Sequence, residues 1–520
     1  MDIWFESLKK RIPATVRAAV LAAFFTGLLV HLPAMVRDIP NHDGLGSMYF
    51  DQNMVTSGRW FLMIACGISS YFTVPWVIGL LGLCFLSLTA GLLADLTGVK
   101  ERTSGALIGA LLAAFPALAS TFAYVFTLDG YMLGLLLAVW AVWWVPKKKA
   151  GPVIGAVCLA FSLGTYQAYL SFAIVLCLYR LLIAFAETDA FTSSKQKLGL
   201  ALRYAGMGAG GAVLYYVLLR ILLAIQGKEL DTYQGISGIE GGRGLGSMLQ
   251  SIPGIYRDFL HFTLKGKILA PNGFAALALG ILLALTLYVI VRNATRKGLL
   301  KKPLFYVSAV LACVLLPLSM NVILLITPSV NYHLIMRYVW ILLPVLAVGY
   351  LGSRPEGEGI GAGPKSLLPG MVLIIAAAVL IFCYGLADNI GYSNLQKKYE
   401  KTYAYCLRLL DRIEQTPGYE QGMPVAIIGV VGDESFPLTD LTGDVTENMI
   451  GLSGDYLVYT GANYEAFFRN YLGATLNFLP VEDVTEIYYS DVYRQMDSFP
   501  GPDSVRVVDG ILYVKTENKW

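Results

Sequence analysis

Apolar runs of membrane-crossing length recur along most of this chain, and nothing else constrains its fold so strongly. A helix needs about 20 residues to cross the hydrocarbon core of a bilayer. Runs of that order occupy 16–36, 73–94, 104–122, 130–146, 151–165, 168–186, 204–225, 272–291, 304–327, 338–352 and 367–388. The stretch 151–186 is broken only by Gly164-Thr165-Tyr166-Gln167. As one helix it would rise about 54 Å, far more than a bilayer core, so it reads as two. Composition agrees, with 56% hydrophobic and 14% charged residues, where soluble domains carry about 25% charged. The excess apolar side chain must face lipid. The expected fold is a polytopic α-helical membrane protein with about eleven transmembrane helices.

Basic residues set the expected orientation. Lys9, Lys10, Arg11 and Arg17 precede or open the first run. That run offers no small-residue cleavage site, so it reads as a retained helix rather than a signal peptide. With the N-terminus inside, the inner segments carry Lys100, Arg102, Lys147, Lys148, Lys149, Lys195, Lys197, Arg203, Arg292, Arg296, Lys297, Lys301, Lys302, Arg354 and Lys365. The short outer loops hold only Arg37, Arg59 and Arg337, and the long loop adds Arg243 and Arg257. Long loops obey the rule less strictly. The odd helix count then puts everything after the last run on the outer side. The expected organisation is a membrane domain over 1–390, with outer loops 37–72 and 226–271, and an extracytoplasmic α/β domain over 391–520. The compartment expected is a bacterial inner membrane.

The tail supports an α/β reading. Residues 394–415 have helical periodicity, Val425–Val431 is β-branched, and Tyr464–Leu472 reads as helix. Val505–Val508 and Ile511–Lys515 flank Asp509-Gly510, a type I′ hairpin signal. In the long outer loop, Leu249–Leu264 reads as an amphipathic helix, and Arg354–Gly363 as an inner linker.

Other classes are excluded. A net charge of +3 provides no concentrated basic face for nucleic acid. The seven Cys form no CxxC, and the four His show no metal-ligand spacing. Gly429-Val430-Val431-Gly432 is neither a dinucleotide fingerprint nor a P-loop.

Ionisable groups at membrane depth persist for a reason, and in transporters they lie mid-helix along a path. Here they gather at outer helix ends and outer loops, which favours a site at the outer membrane surface. Asp43 and Asp51 lie in the first outer loop. A carboxylate at a partly desolvated interface can act as general base toward a sugar hydroxyl, and both also fit turn or N-cap roles. Arg59 offers a rigid fork suited to phosphate. Asp129 is the lone charge of a long apolar neighbourhood and fits substrate binding, a helix N-cap, or both. Tyr166, Gln167 and Tyr169 suit a sugar ring, or an interfacial aromatic belt. His333 and Arg337, four apart, share one face of a helix and can grip a lipid phosphate, or snorkel to headgroups.

Taken together, the acidic first outer loop closing on Ser57-Gly58-Arg59-Trp60, Asp129 opening the fourth helix, and Tyr166-Gln167-Ala168-Tyr169 resemble the bacterial glucosyltransferase II family. These membrane glucosyltransferases modify O-antigen and related surface glycans, within the GT-C superfamily. The resemblance implies a GT-C-like fold, a polyprenyl-phosphate-linked sugar donor, and inverting transfer to an extracytoplasmic surface glycan. It places the essential carboxylate in the first outer loop, on Asp43 or Asp51. Asp43 is favoured as base because Gly44 beside it lets the backbone approach substrate. Asp51 is left to position the acceptor or to take over as base. Arg59, His333 and Arg337 would neutralise the departing phosphate. Asp129, Tyr166, Gln167 and Tyr169 would bind sugar or acceptor. Some GT-C enzymes use a divalent metal and others none, so no cofactor is fixed. The rival reading is a transporter or flippase of lipid-linked glycans, which calls for midplane ionisable groups or repeated halves. A membrane-anchored scaffold is a third.

Overall fold

The structure is a computed structural model that describes residues 11–46, 49–186, 194–231, 245–328, 330–354, 367–429, 445–452 and 457–517. Lys9, Lys10, Arg243, Lys365, and residues 355–363 and 430–432 of the linker and strand read above lie outside them. The chain divides into two units. The first comprises Met1–Val36, Asp51–Tyr71 and Pro75–Asp388. The second comprises Arg37–Phe50, Phe72–Val74 and Asn389–Trp520.

The first unit is helical. In chain order its helices are α1 (Ala14–Val36), α2 (Pro75–Thr97), α3 (Arg102–Ala114), α4 (Pro116–Ala123), α5 (Val125–Lys147), α6 (Gly151–Thr165) and α7 (Tyr169–Ala186). Then come α8 (Ser194–Gln226), α9 (Leu245–Lys265), α10 (Gly273–Arg296), α11 (Pro303–Met320) and α12 (Val322–Ile326). A 3₁₀ segment, Leu334–Ile341, leads into α13 (Leu342–Gly352), and α14 (Leu367–Glu414) contributes its residues to Asp388. All eleven apolar runs are therefore helical. Among the described residues, seven helices are long and apolar enough to cross a membrane: α1, α2, α5, α8, α10, the Leu334–Gly352 rod and α14. An eighth is made by α3 and α4 if they are one span bent by 43°. Three apolar helices, in α6, α7 and α11, are shorter.

The bend has a covalent cause. Pro116 has no N–H to donate back into α3, so carbonyls near the break need other partners. Tyr338 Oη donates to the Leu112 carbonyl at 2.5 Å, and His31 Nε2 lies 2.8 Å from the Ala113 carbonyl. Buried polar groups thus answer the break.

Close helix approach in the first unit rests on small residues, as is usual in membranes. On α3, Gly105 and Gly109 lie one turn apart against α1. A Cβ on Gly109 would stand 2.2 Å from the Ala19 carbonyl oxygen, and one on Gly105 2.4 Å from that of Thr15. Those are backbone atoms of a helix and cannot swing away. Gly109→Val should therefore push α1 and α3 apart, costing about 1–3 kcal/mol. Thermal melting in detergent reads the loss, and an unchanged melting temperature would refute the packing argument.

The second unit contains the rest of α14 and a four-stranded sheet of order β2-β1-β4-β3. Its strands are β1 (Pro424–Ile428), β2 (Asn477–Phe478), β3 (Val505–Val508) and β4 (Ile511–Lys515). β1 runs parallel to both β2 and β4, with helices α15 (Gly461–Phe467), α16 (Val481–Tyr488) and α17 (Asp491–Gln495) in the connections. β3 and β4 form an antiparallel hairpin closed by Asp509 and Gly510, both at positive φ (48° and 79°). A type I′ turn needs that pair of angles. Cys406, Leu409 and Ile413 of α14 pack on Val425, Phe467, Phe468, Leu512 and Val514. Leu45, from the first loop, is buried in the same core.

Candidate functional site

The first unit gathers polar side chains around the turn 55–60. Val55–Ser57 forms a 3₁₀ turn ended by Gly58 in the left-handed region (φ 76°). Its carbonyls are caught from two places, the α6–α7 connection and α8. Gln167 Nε2 donates to the Ser57 carbonyl at 3.0 Å, and Tyr215 Oη, from α8, donates to that of Gly58 at 3.1 Å. The Phe61 N–H donates to the Gly164 carbonyl at 2.7 Å, and the Trp60 ring packs against the Cβ-less face of Gly164. Ser57-Gly58-Arg59-Trp60 is thus docked on the segment between α6 and α7. A Cβ at Gly58 would meet Gln167 Nε2 and Tyr215 Oη, each at 2.6 Å. Gly58→Ala should release both clamps and add left-handed strain of about 1–2 kcal/mol. The expected reading is a lower melting temperature together with reduced transfer. Unchanged values for both would show that the turn holds without its clamps.

This docking aims Arg59. Its Nη1 donates to Tyr131 Oη at 3.1 Å, and its guanidinium lies 5.2 Å from the Tyr166 ring centroid. Tyr131 and Tyr166 are stacked at 4.4 Å, and Tyr166 meets Tyr169 edge-on at 5.4 Å. The structure therefore brings Arg59, Tyr166, Gln167 and Tyr169 into one cluster. Tyr131 and Tyr215 join it, and sequence reasoning had not singled them out. Their signal was only positional: Tyr131 follows Asp129 by two.

Asp129 lies inside α5, beyond its first turn, and so is no N-cap. It is fully buried. One carboxylate oxygen accepts the Gly130 N–H at 2.8 Å, and the other accepts no hydrogen bond. Cys66 and Ser69, at the end of the 37–72 segment, stand beside it. Burial, reinforced by the Asp129 charge, pushes the Cys66 thiol pKa up, which leaves that sulfur a small apolar filler rather than a nucleophile. Asp51 is exposed, and its Oδ1 accepts the Asn53 N–H at 3.1 Å. The neighbouring Gln52 Nε2 donates to the Phe126 carbonyl at 2.9 Å, tying this segment to the start of α5.

His333 and Arg337 do not share a helical face. The segment is 3₁₀, His333 is its N-cap, and Arg337 is kinked (φ −99°, ψ 18°). At three residues per turn, positions four apart are rotated by about 120°. Arg337 instead forks onto Asp258 of α9, Nη1 to Oδ2 at 2.7 Å and Nη2 to Oδ1 at 2.8 Å. Its Nε donates to the Tyr332 carbonyl at 3.1 Å. The guanidinium lies 3.9 Å from the Tyr332 ring centroid, 4.5 Å from Phe262 and 5.3 Å from Trp340. Burial raises the Tyr332 phenol pKa, with Arg337 pulling the other way.

Tyr338 stacks on Phe172 of α7 at 6.2 Å. Asp388 is fully buried, and neither carboxylate oxygen accepts a hydrogen bond. Tyr384 is also near, but its hydroxyl donates to the Leu269 carbonyl at 2.9 Å. Asp388 ends an apolar run, and nothing in its spacing marks it.

In the second unit, Asp43 sits on the 3₁₀ turn His42–Leu45 with its side chain 55% exposed and 3.5 Å from His42 Nε2. Among the described residues, no three His, Cys, Asp or Glu side chains come together as a metal site.

A protein-family model described as Glucosyl transferase GtrII matches residues 32–348, more than half of the chain. Neither the comparison with curated proteins nor that with solved structures returned a match.

Proposed function

The chain belongs to the glucosyl transferase GtrII family, and from that premise we propose that it transfers a sugar, glucose by the family's description, from a polyprenyl-phosphate-linked donor to a surface glycan outside the cytoplasm. The family match carries this reading. The Arg59–tyrosine cluster supports it, because stacked aromatic rings, amides and a guanidinium are the groups that hold a sugar phosphate.

The proposed chemistry is a single inverting displacement. Asp43 takes the proton of the acceptor hydroxyl as that oxygen bonds to the sugar's anomeric carbon. The bond from that carbon to the phosphate oxygen breaks, and its electron pair leaves with the polyprenyl phosphate. Arg59, His333 and Arg337 meet the charge that develops there. Asp129, Tyr166, Gln167 and Tyr169 hold the sugar and acceptor, and Asp51 positions the acceptor. A donor with a long isoprenoid tail stays in the bilayer, so no nucleotide-binding fold is required. Residues 391–520 and both outer loops lie on the extracytoplasmic side of the inner membrane in this proposal.

The test is reconstitution. Protein in vesicles, given polyprenyl-phosphate glucose and a lipopolysaccharide glycan, should release polyprenyl phosphate in step with new glycosidic bonds. Movement of the lipid across the bilayer without bond formation would overturn the reading in favour of a flippase.

A further inference from the structure

The loop that carries Asp43 is too short to hold its own shape. Within its 3₁₀ turn, Asn41 Oδ1 accepts the N–H groups of Asp43 and Gly44, at 2.9 and 3.0 Å, and the Asn41 carbonyl accepts the Gly44 N–H at 3.0 Å. Isolated 3₁₀ turns of this length have poor hydrogen-bond geometry and little stability. Further support comes from more than 400 residues later in the chain, within the same unit. Asn463 Nδ2 donates to the His42 carbonyl at 3.2 Å. Asn470 Nδ2 donates to the Leu45 carbonyl at 2.8 Å and to that of Gly46 at 3.2 Å. Leu45 is 1% exposed within the core of the second unit, and the His42 ring meets Tyr459 edge-on at 5.4 Å.

Asn463 is not free to turn. It opens α15 in a capping box, its N–H donating to Thr460 Oγ1 at 3.1 Å and its Oδ1 accepting the Thr460 N–H at 3.3 Å. With Oδ1 committed, Nδ2 is directed at the His42 carbonyl. We propose that Asn463 and Asn470 are positioning residues for Asp43, so that the C-terminal segment fixes the carboxylate used in sugar transfer. This rests on the reading of Asp43 as the base.

The side chains permit a sharp test. Asp in place of Asn463 keeps the oxygen that the capping box needs and replaces the donor with a charged oxygen that the His42 carbonyl repels. Asp in place of Asn470 likewise keeps the size and loses the donor. The experiment compares full-length wild type, Asn463→Asp/Asn470→Asp and Asp43→Asn, all reconstituted in nanodiscs. Amide hydrogen exchange at residues 43–44 reads the turn, and kcat and donor KM read the reaction. Losing three hydrogen bonds should speed exchange there by roughly tenfold or more. The expected companion is a fall in kcat of about the same order with donor KM unchanged. Faster exchange with wild-type kcat, or unchanged exchange, overturns the proposal. A rise in donor KM alone does so as well. If the double variant does not fold, Asn470→Ala is read by the same two measurements. Full turnover in Asp43→Asn would sink the base reading instead, and the exchange result then stands as evidence on the clamp itself.

Discussion

Asp43→Asn should lower the rate of sugar transfer by about 10²–10⁴, the usual range for loss of a general acid or base, while the protein reaches the membrane in normal amount and melts as wild type does. The carboxylate is more than half exposed, and its ion pair with His42 is long at 3.5 Å. Exposed pairs of that kind add little to stability. A large loss of activity without loss of fold would therefore have to come from chemistry. Asp51→Asn is the informative control. Asp51 accepts the Asn53 N–H through Oδ1, and an Asn side chain retains that oxygen, so the local turn survives. The expected result there is a raised KM for the acceptor with kcat nearly kept. If Asp51→Asn abolishes transfer and Asp43→Asn does not, the two exchange roles. Wild-type turnover in both ends the assignment of a base to the 37–72 segment.

Periodicity and run length located the helices because a helix exposed to lipid must be apolar all round, and that is readable without knowing its neighbours. The break at Phe115-Pro116 was less visible. Proline announces a bend, but the groups that answer the freed carbonyls, His31 and Tyr338, stand 82 and 226 residues away from them. The same distinction runs through the site. Ser57-Gly58-Arg59-Trp60 and Tyr166-Gln167-Ala168-Tyr169 are compact strings with an evident chemistry, and the fold joins them through the Gln167 and Tyr215 hydrogen bonds. Asp258 lies on an amphipathic helix among ordinary polar residues, and only the folded chain pairs it with Arg337. Asp388 is similarly hidden, since a carboxylate ending an apolar run looks like the beginning of a loop. The His333–Arg337 spacing misled because it assumed 3.6 residues per turn where the chain adopts three.

The Arg337–Asp258 pair separates a structural role from a functional one. Its side chains are 9% and 28% exposed, so the guanidinium is nearly out of water and its partner only partly so. Removing one member of a buried pair strands the other charge, at a cost of about 3–5 kcal/mol. Asp258→Ala should fall at the low end, because the carboxylate lost was still partly hydrated, although the Arg337 guanidinium it leaves is not. Arg337→Lys should do little better than Ala in activity, since an ammonium cannot fork onto two oxygens or stack between Tyr332 and Phe262. The decisive variant removes both charges. Arg337→Met/Asp258→Leu leaves no stranded ion, and hydrophobic replacement of a buried pair is commonly neutral or stabilising. Its melting temperature should return to near the wild-type value. If Arg337 also meets the donor phosphate, sugar transfer should stay low in this stable protein, with the donor KM raised. Recovery of transfer together with stability would instead confine Arg337 to holding α9 against the 3₁₀ segment. The phosphate would then depend on the remaining cations, of which Arg59, directed by Tyr131 and Tyr166, has the most defined geometry.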